Sequence, residues 1–201
     1  MALRELAIAG AWEIVPTIHR DDRGAFSEAY RADALAEVIG HRLDVAQMNV
    51  SVSRRGVVRG IHYADVPPSQ AKYVQCLRGS IIDFVVDIRV GSPTFGQWDA
   101  VRLDDRARAS LYISEGLGHA FVALEDETTV AYLVSEPFNA PREHGITPLD
   151  PEIGLDLGVP DHELVLSEKD RDAPTLAEAL AAGALPTHRA VLDYGHELAD
   201  R

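Results

Sequence analysis

The stretch Tyr73–Val90, "YVQCLRGSIIDFVVDIRV", decides the reading of the fold. Two runs rich in Val, Ile, Tyr and Phe flank an Arg78-Gly79 turn, the pattern of adjacent β-strands rather than of a helix. The same pattern continues through "GQWDAVRL", "ASLYIS", "HAFVAL" and "TTVAYLVS", punctuated by "GSPTFG", "LDDRAR", "SEGLG" and "EDET". Six short strands with no intervening helical period predict a mainly β sandwich or barrel. Asp83 and Asp87 sit among apolar neighbours, as in strands that line a ligand pocket or run along an edge.

Helix is expected in two places outside this block. In "RADALAEVIGH" Leu35, Val38 and Ile39 share one face and Gly40 stands at the C-terminal stop. In "DAPTLAEALAAG" Asp172 is the N-cap candidate, Pro174 lies in the first turn and Gly183 ends the helix. The polar tail "PTHRAVLDYGHELADR" reads as a short helix prone to fraying. Between strands and helices, "FNAPREHGITPLDPEIGLDLGVPDHE" reads as a long ordered loop over one sheet. Without repeats or an internal boundary, residues 1–201 form a single domain, with 174–201 as a C-terminal helical tail.

The formal net charge of −13 argues against general nucleic-acid or membrane binding. The N-terminus carries Glu5 and Glu13 and has neither a leader nor a membrane-span pattern, so a cytoplasmic location is the default expectation. The single cysteine, Cys76, forms no intrachain disulfide. Against the acidic background, Ser51–Gly79 gathers Arg54, Arg55, Arg59, Lys72 and Arg78 around one histidine, His62. An anionic ligand of such a protein needs a local basic pocket of this kind.

His62, Lys72, His119, Tyr132 and Asp170 can point inward from different strands of a barrel, because alternate residues share a face. The set suits proton abstraction beside a carbonyl. An imidazole serves as base, a carboxylate orients it, and an ammonium stabilises the developing enolate oxygen. A phenol on the opposite face returns a proton and inverts the carbon. None of these steps needs a cofactor. Read one at a time, His62 is a satisfied core histidine, Lys72 a solvated charge, Tyr132 a sheet residue with its hydroxyl at the rim, and Asp170 a helix cap. His119 either lines the pocket or bonds a strand edge. Arg54 and Arg55 read as a surface turn, Arg78 as outward-facing, and Phe95 and Trp98 as core or dimer packing. In "GIHYAD" His62 has no second histidine beside it. With only His119 to add, no metal is expected.

Six blocks in order, "RDDRGAFSEAY", "QMNVSVSRRGVVRGIHY", "PPSQAKYVQCLRGSIIDFVVDIRVGSPTFGQWDAVRL", "ISEGLGHAFVAL", "AYLVSEPFNAPREHGI" and "LSEKDRDAPTL", resemble the dTDP-4-dehydrorhamnose 3,5-epimerase family. The resemblance runs from about Leu3 to Leu176. It implies a cupin-type jelly roll with a few short peripheral helices, a homodimer, no cofactor, and dTDP-4-keto-6-deoxyglucose or a modified relative as substrate.

By position, the resemblance makes His62 the base, Asp170 its orienting partner, Tyr132 the opposing acid and Lys72 the group on the enolate oxygen. Arg59 resembles a diphosphate contact, with Lys169 nearby. Arg23, Phe26 and Glu28 resemble a nucleotide-binding arm, within residues 1–30, that crosses to the partner subunit. Gln47, Asn49, His119 and Glu143 resemble substrate contacts. Phe138 replaces a tyrosine that stacks on thymine in many members; it keeps the π-face and loses the hydroxyl. Two alternatives stay open: a mono-epimerase acting at C3 or C5 alone in an antibiotic deoxysugar pathway, and a non-catalytic sugar-nucleotide binder.

Overall fold

The computed structural model describes residues 1–200. In chain order its elements are β1 (Ala2–Glu5), β2 (Ala11–Val15), β3 (Ile18–Asp21), β4 (Gly24–Ser27), α1 (Ala32–Ile39), β5 (Gln47–Ser53), β6 (Val58–Ala64), β7 (Lys72–Arg78) and β8 (Ser80–Val86). Then follow β9 (Trp98–Asp104), β10 (Ser110–Ile113), β11 (Gly118–Ala123), β12 (Thr128–Val134), β13 (Glu143–Gly145), α2 (Glu168–Arg171), α3 (Leu176–Ala181) and α4 (His188–Ala199). The six strands expected from Tyr73 onward are all present. The first half of the chain is also β, from Ala2, which the sequence reading did not assign.

The strands pair antiparallel into a six-stranded sheet, β1-β2-β10-β7-β12-β5, facing a five-stranded sheet, β13-β6-β11-β8-β9. β3 and β4 form a separate hairpin. This is the jelly-roll sandwich of the expectation. Its core lies between the sheets, where Val74, Cys76 and Val130 of one meet Ile81, Val85, Leu103 and Phe121 of the other. Both outer faces are also covered in part. Ile14, Tyr73 and Tyr112 pack under Leu35 of α1, while Phe84, Val86 and Val122 pack under Ile146, Ile153, Leu157 and α3. β8 is therefore apolar on both faces, which accounts for its unbroken hydrophobic run. Its one inward polar residue is Asp83, fully buried.

Three local readings change. The N-cap of α3 is Thr175, whose hydroxyl accepts from the Glu178 amide while Glu178 accepts from the Thr175 amide. Asp172 instead ends α2, and Pro174 lies before the cap. The tail is docked rather than frayed: Val90 bridges to Thr187, and Tyr194 of α4 is buried. Phe95 and Trp98 are core residues, and the Trp98 indole donates to the Ile153 carbonyl at 3.0 Å. Asp87 is buried in a local hydrogen-bond network. It accepts from Arg89, Ser92 and Thr94, and although burial acts to raise its pKa, these bonds hold it at about 2. Arg55 binds Glu163 and the Leu124 carbonyl, pinning the long loop's end. Among the described residues no helix is long and apolar enough to cross a membrane.

The covering segment hangs on Asp150, which is buried. Its carboxylate accepts the amides of Glu152, Ile153 and Leu176 at 2.7, 3.1 and 2.6 Å. Asp150→Ala strips all three donors. We expect it to lower unfolding free energy by about 2–4 kcal/mol, seen in urea as a lower midpoint at unchanged slope.

Candidate active site

At one end of the sandwich the inner faces turn polar. On β12 Tyr132 stands opposite Asn49 of β5, and Val134 stands opposite Lys72 of β7. Side-chain alternation then turns Asn49, Ser51, Lys72 and Tyr132 to the inside, continuing the face of Val74 and Val130.

The facing sheet supplies Arg59 and His62 from β6, three residues apart, a spacing that puts two side chains on opposite faces of a regular strand. The pairing explains how both reach the inside. His62 pairs with His119 and Arg59 with Phe121, so the interval of three on β6 faces an interval of two on β11. The extra residue is taken up at Gly60, with φ +128°. A Cβ there would lie 2.5 Å from the His119 carbonyl oxygen and from Ala120 Cβ, so only glycine lets β6 lie flush against β11. Arg59, His62, His119 and Phe121 thus share one cavity of about 180 Å³ with Lys72 and Tyr132.

His62 Nε2 lies 2.6 Å from Asp170 Oδ1. With that nitrogen protonated it donates to the carboxylate, and Nδ1 is left with no partner among the described residues. Asp170 is buried on α2, where its amide donates to the N-cap hydroxyl of Ser167. Burial pushes its pKa up, but the bond to His62, the His62 charge and Ser167 bring it below the ordinary carboxylate value. Asp170 is therefore an anionic acceptor suited to holding an imidazole.

A second pair lies deeper, with His119 Nε2 2.6 Å from Asp83 Oδ1. Burial raises the Asp83 pKa against the opposing charges of His119 and Lys72, and Oδ2 has no partner among the described residues. Lys72 is buried, and neither a hydrogen bond nor an ion pair holds its ammonium among the described residues. Burial brings its pKa down to about 8, opposed by Glu143, Asp83 and Glu115. Burial also raises the Tyr132 pKa, against Arg59 and a hydrogen bond with Asn49, so this phenol carries its proton at neutral pH. Asn49 accepts from the Gln47 amide at 2.5 Å, and Gln47 Oε1 accepts the Phe138 amide at 3.3 Å. Phe138, 60% exposed, and Glu143 stand at the mouth. Asn139 N–H donates to Glu143 at 3.3 Å.

Of the residues named from sequence, His62, Lys72, Tyr132, Arg59, Asn49, His119, Glu143 and Phe138 meet at this cavity. Asp170 and Gln47 stand directly behind it. Lys169 is exposed on α2 and does not line it. Arg23, Phe26 and Glu28 lie on or beside the β3–β4 hairpin, away from this chain's own cavity. Arg23 is paired with Asp21, Glu28 with Arg31, and Phe26 is 66% exposed. The sequence reading missed Ser51, Gln70 and Phe121 as lining residues and Asp83 as the partner of His119. Period-two spacing from Asn49 and His119 would have found Ser51 and Phe121. No three His, Cys, Asp or Glu side chains gather to hold a metal ion among the described residues.

The family model described as dTDP-4-dehydrorhamnose 3,5-epimerase matches residues 5–178. The chain belongs to the dTDP-4-dehydrorhamnose 3,5-epimerase family. It is 60% identical over 188 residues to a dTDP-4-dehydrorhamnose 3,5-epimerase of Mycolicibacterium smegmatis, covering 93% of this chain and 92% of the relative. It is 54% identical over 190 residues to a dTDP-4-dehydrorhamnose 3-epimerase of Streptomyces niveus, covering 94% and 90%. Among solved structures it superposes on the Mycobacterium tuberculosis rmlC epimerase with a TM-score of 0.96 at 49% identity, covering 98% and 100% of the two chains. It matches the 3'-monoepimerase ChmJ of Streptomyces bikiniensis, in complex with dTDP-quinovose, with a TM-score of 0.93 at 45% identity, covering 98% of each. The chain is thus an epimerase, an isomerase by class.

The buried ammonium gives this epimerase a pH signature. The folded state holds the Lys72 proton less tightly than the unfolded chain does, with the pKa falling from 10.5 to about 8. The folded state therefore bears a cost of about 3 kcal/mol, present in full below pH 8 and fading as pH rises toward 10.5. We expect Lys72→Met to raise unfolding free energy at pH 7 by about 1–3 kcal/mol, with the advantage shrinking by pH 10. Denaturant titrations of both proteins at the two pH values check this.

Proposed function

We propose that this chain epimerises a dTDP-linked 4-keto-6-deoxyhexose at C3 and C5. The observation that carries the reading is that His62 and Tyr132 enter one cavity from the two facing sheets, with the unpaired Lys72 ammonium beside them. His62 Nδ1 takes the proton from the carbon next to the C4 ketone. The electron pair moves onto the ketone oxygen, and Lys72 stabilises the enolate. Tyr132 gives its proton to the opposite face of the same carbon and is left as a phenolate. Asp170 keeps the imidazole in the tautomer that leaves Nδ1 free to act, and balances the imidazolium. Arg59 holds the diphosphate, and Phe138 offers its ring to the base.

A cavity of about 180 Å³ suits the sugar ring; the nucleotide must extend past Phe138. The reading fills that mouth from a second copy, in a homodimer whose exposed hairpin residues Arg23, Phe26 and Glu28 cross to the partner. Supporting this, Met48, Val50 and Val52 form an apolar stripe along the edge strand β5, exposed by 57, 60 and 56%. A cytoplasmic location fits a nucleotide-sugar substrate made inside the cell. The second reading, inversion at C3 alone, is favoured by the names of the Streptomyces niveus relative and ChmJ.

Incubation with the 4-keto sugar in heavy water tests the chemistry. Proton NMR should show deuterium at C3 and C5, or at C3 alone under the second reading. His62→Ala should abolish exchange, whereas Tyr132→Phe should keep exchange and lose most inversion. Equal residual activity in the two variants refutes the assigned roles, and no exchange by the wild type refutes the reaction. For the assembly, Val50→Arg should move the protein from dimer to monomer in sedimentation velocity and lower activity at least about tenfold.

A further inference from the structure

A second cavity, of about 420 Å³, opens on the outer face of the first sheet, between α1 and α4. Its walls are apolar: Trp12 of β2, Val38 and Ile39 of α1, and Val191, Leu192 and Tyr194 of α4. Its floor is not. Tyr112 of β10 is buried there, and its hydroxyl has no hydrogen-bond partner among the described residues. Beside it lies Glu115, 6% exposed, whose carboxyl meets no donor but its own backbone amide. Most buried polar groups of a folded protein are paired, so an unpartnered hydroxyl beside a buried carboxyl held only by its own amide, on the floor of one open apolar cavity, calls for a ligand.

The charges on the walls select its chemistry. Arg89 is committed to Asp87 through two hydrogen bonds of 2.8 Å and has little to offer an anion. Glu5 and Glu115 add negative charge, while His41, His188 and His196 complete the titratable lining. We propose that this cavity is a second ligand site, taking a small organic ammonium whose cationic head sits on Glu115 and whose apolar body fills the space between the helices. The ammonium gives Glu115 the donor it lacks, the Tyr112 oxygen accepts a further N–H, and the Trp12 and Tyr194 rings offer cation–π faces. In the strand order β1-β2-β10-β7-β12-β5, the cavity over β2 and β10 lies across the sheet from β5. The apolar β5 edge therefore leaves it open. Glu115 leads through Gly116, Leu117 and Gly118 to His119, so the two cavities share one short segment of chain.

Benzylammonium is a direct probe, titrated into the full chain by calorimetry and followed by protein NMR, with benzyl alcohol as its neutral counterpart. Saturable binding is expected with Kd below about 1 mM, at least about tenfold tighter than benzyl alcohol. Glu115→Gln should weaken it at least about tenfold. Gly195→Leu serves as an independent variant. Gly195 lines the cavity on α4 and nothing lies within 4 Å of a Cβ built there, so leucine fills the space without a clash and benefits the helix. It should abolish binding, with thermal unfolding certifying the fold. No saturation by the wild type up to about 10 mM, equal affinity for benzyl alcohol, or undiminished binding by Gly195→Leu would each overturn the site.

Discussion

The close approach of β6 to β11 at Gly60 is the constraint on which the site rests. One extra residue on β6 reverses the alternation beyond it and brings His62 to the side that Arg59 already faces. A side chain at position 60 would meet Ala120 and the His119 carbonyl at contact distances that real Cβ atoms do not show. Without the bulge, either the proposed phosphate contact or the proposed base would point to the outer face of the sheet, into the layer formed by Ile146 and Leu157. Because the bulge touches the neighbours of His119 directly, it also sets the second His–Asp pair relative to the first.

Inside the cavity charge is left deliberately incomplete. Asp170 has its imidazole and its helix cap, and Asp83 has His119, but Lys72 has no direct partner among the described residues. Glu143, Asp83 and Glu115 act on Lys72 only at a distance, enough to temper the effect of burial and not enough to cancel it. In the proposed reaction an unpartnered ammonium gains little from a neutral ketone and much from an enolate, so its stabilisation is reserved for the moment when charge moves onto oxygen. A tight ion pair to Lys72 would make the resting protein more stable and the proposed reaction slower.

Much of this was legible in the sequence where residues speak locally. The β-rich half from Tyr73 was visible because its strands are short, branched and separated by Gly and Asp turns. The ordered motifs carried most of the residues that meet at the cavity. Less was legible where partners are distant in sequence. Asp83 read as an oddity in an apolar strand, because His119 lies 36 residues away. The α3 cap was misread because Asp172 and Thr175 are both good cap residues, and only the reciprocal bond from Glu178 decides between them. The bulge at Gly60 left no trace beyond a glycine.

β5 shows why its half of the chain was hard to read. In "QMNVSVS" the polar residues Gln47, Asn49 and Ser51 face inward and Met48, Val50 and Val52 face outward, the reverse of a strand that covers a core. Inverted alternation is stable only if the inside is a polar cavity and the outside is covered by something else. The inner half of that condition is met by the hydrogen-bond chain from Phe138 through Gln47 to Asn49 and Tyr132, which ties the mouth of the cavity to the proposed acid. The outer half is what the proposed dimer would supply. In the proposed reading a single edge strand thus connects nucleotide docking, proton return and assembly, and a dimer contact that moved β5 would move Tyr132 with it.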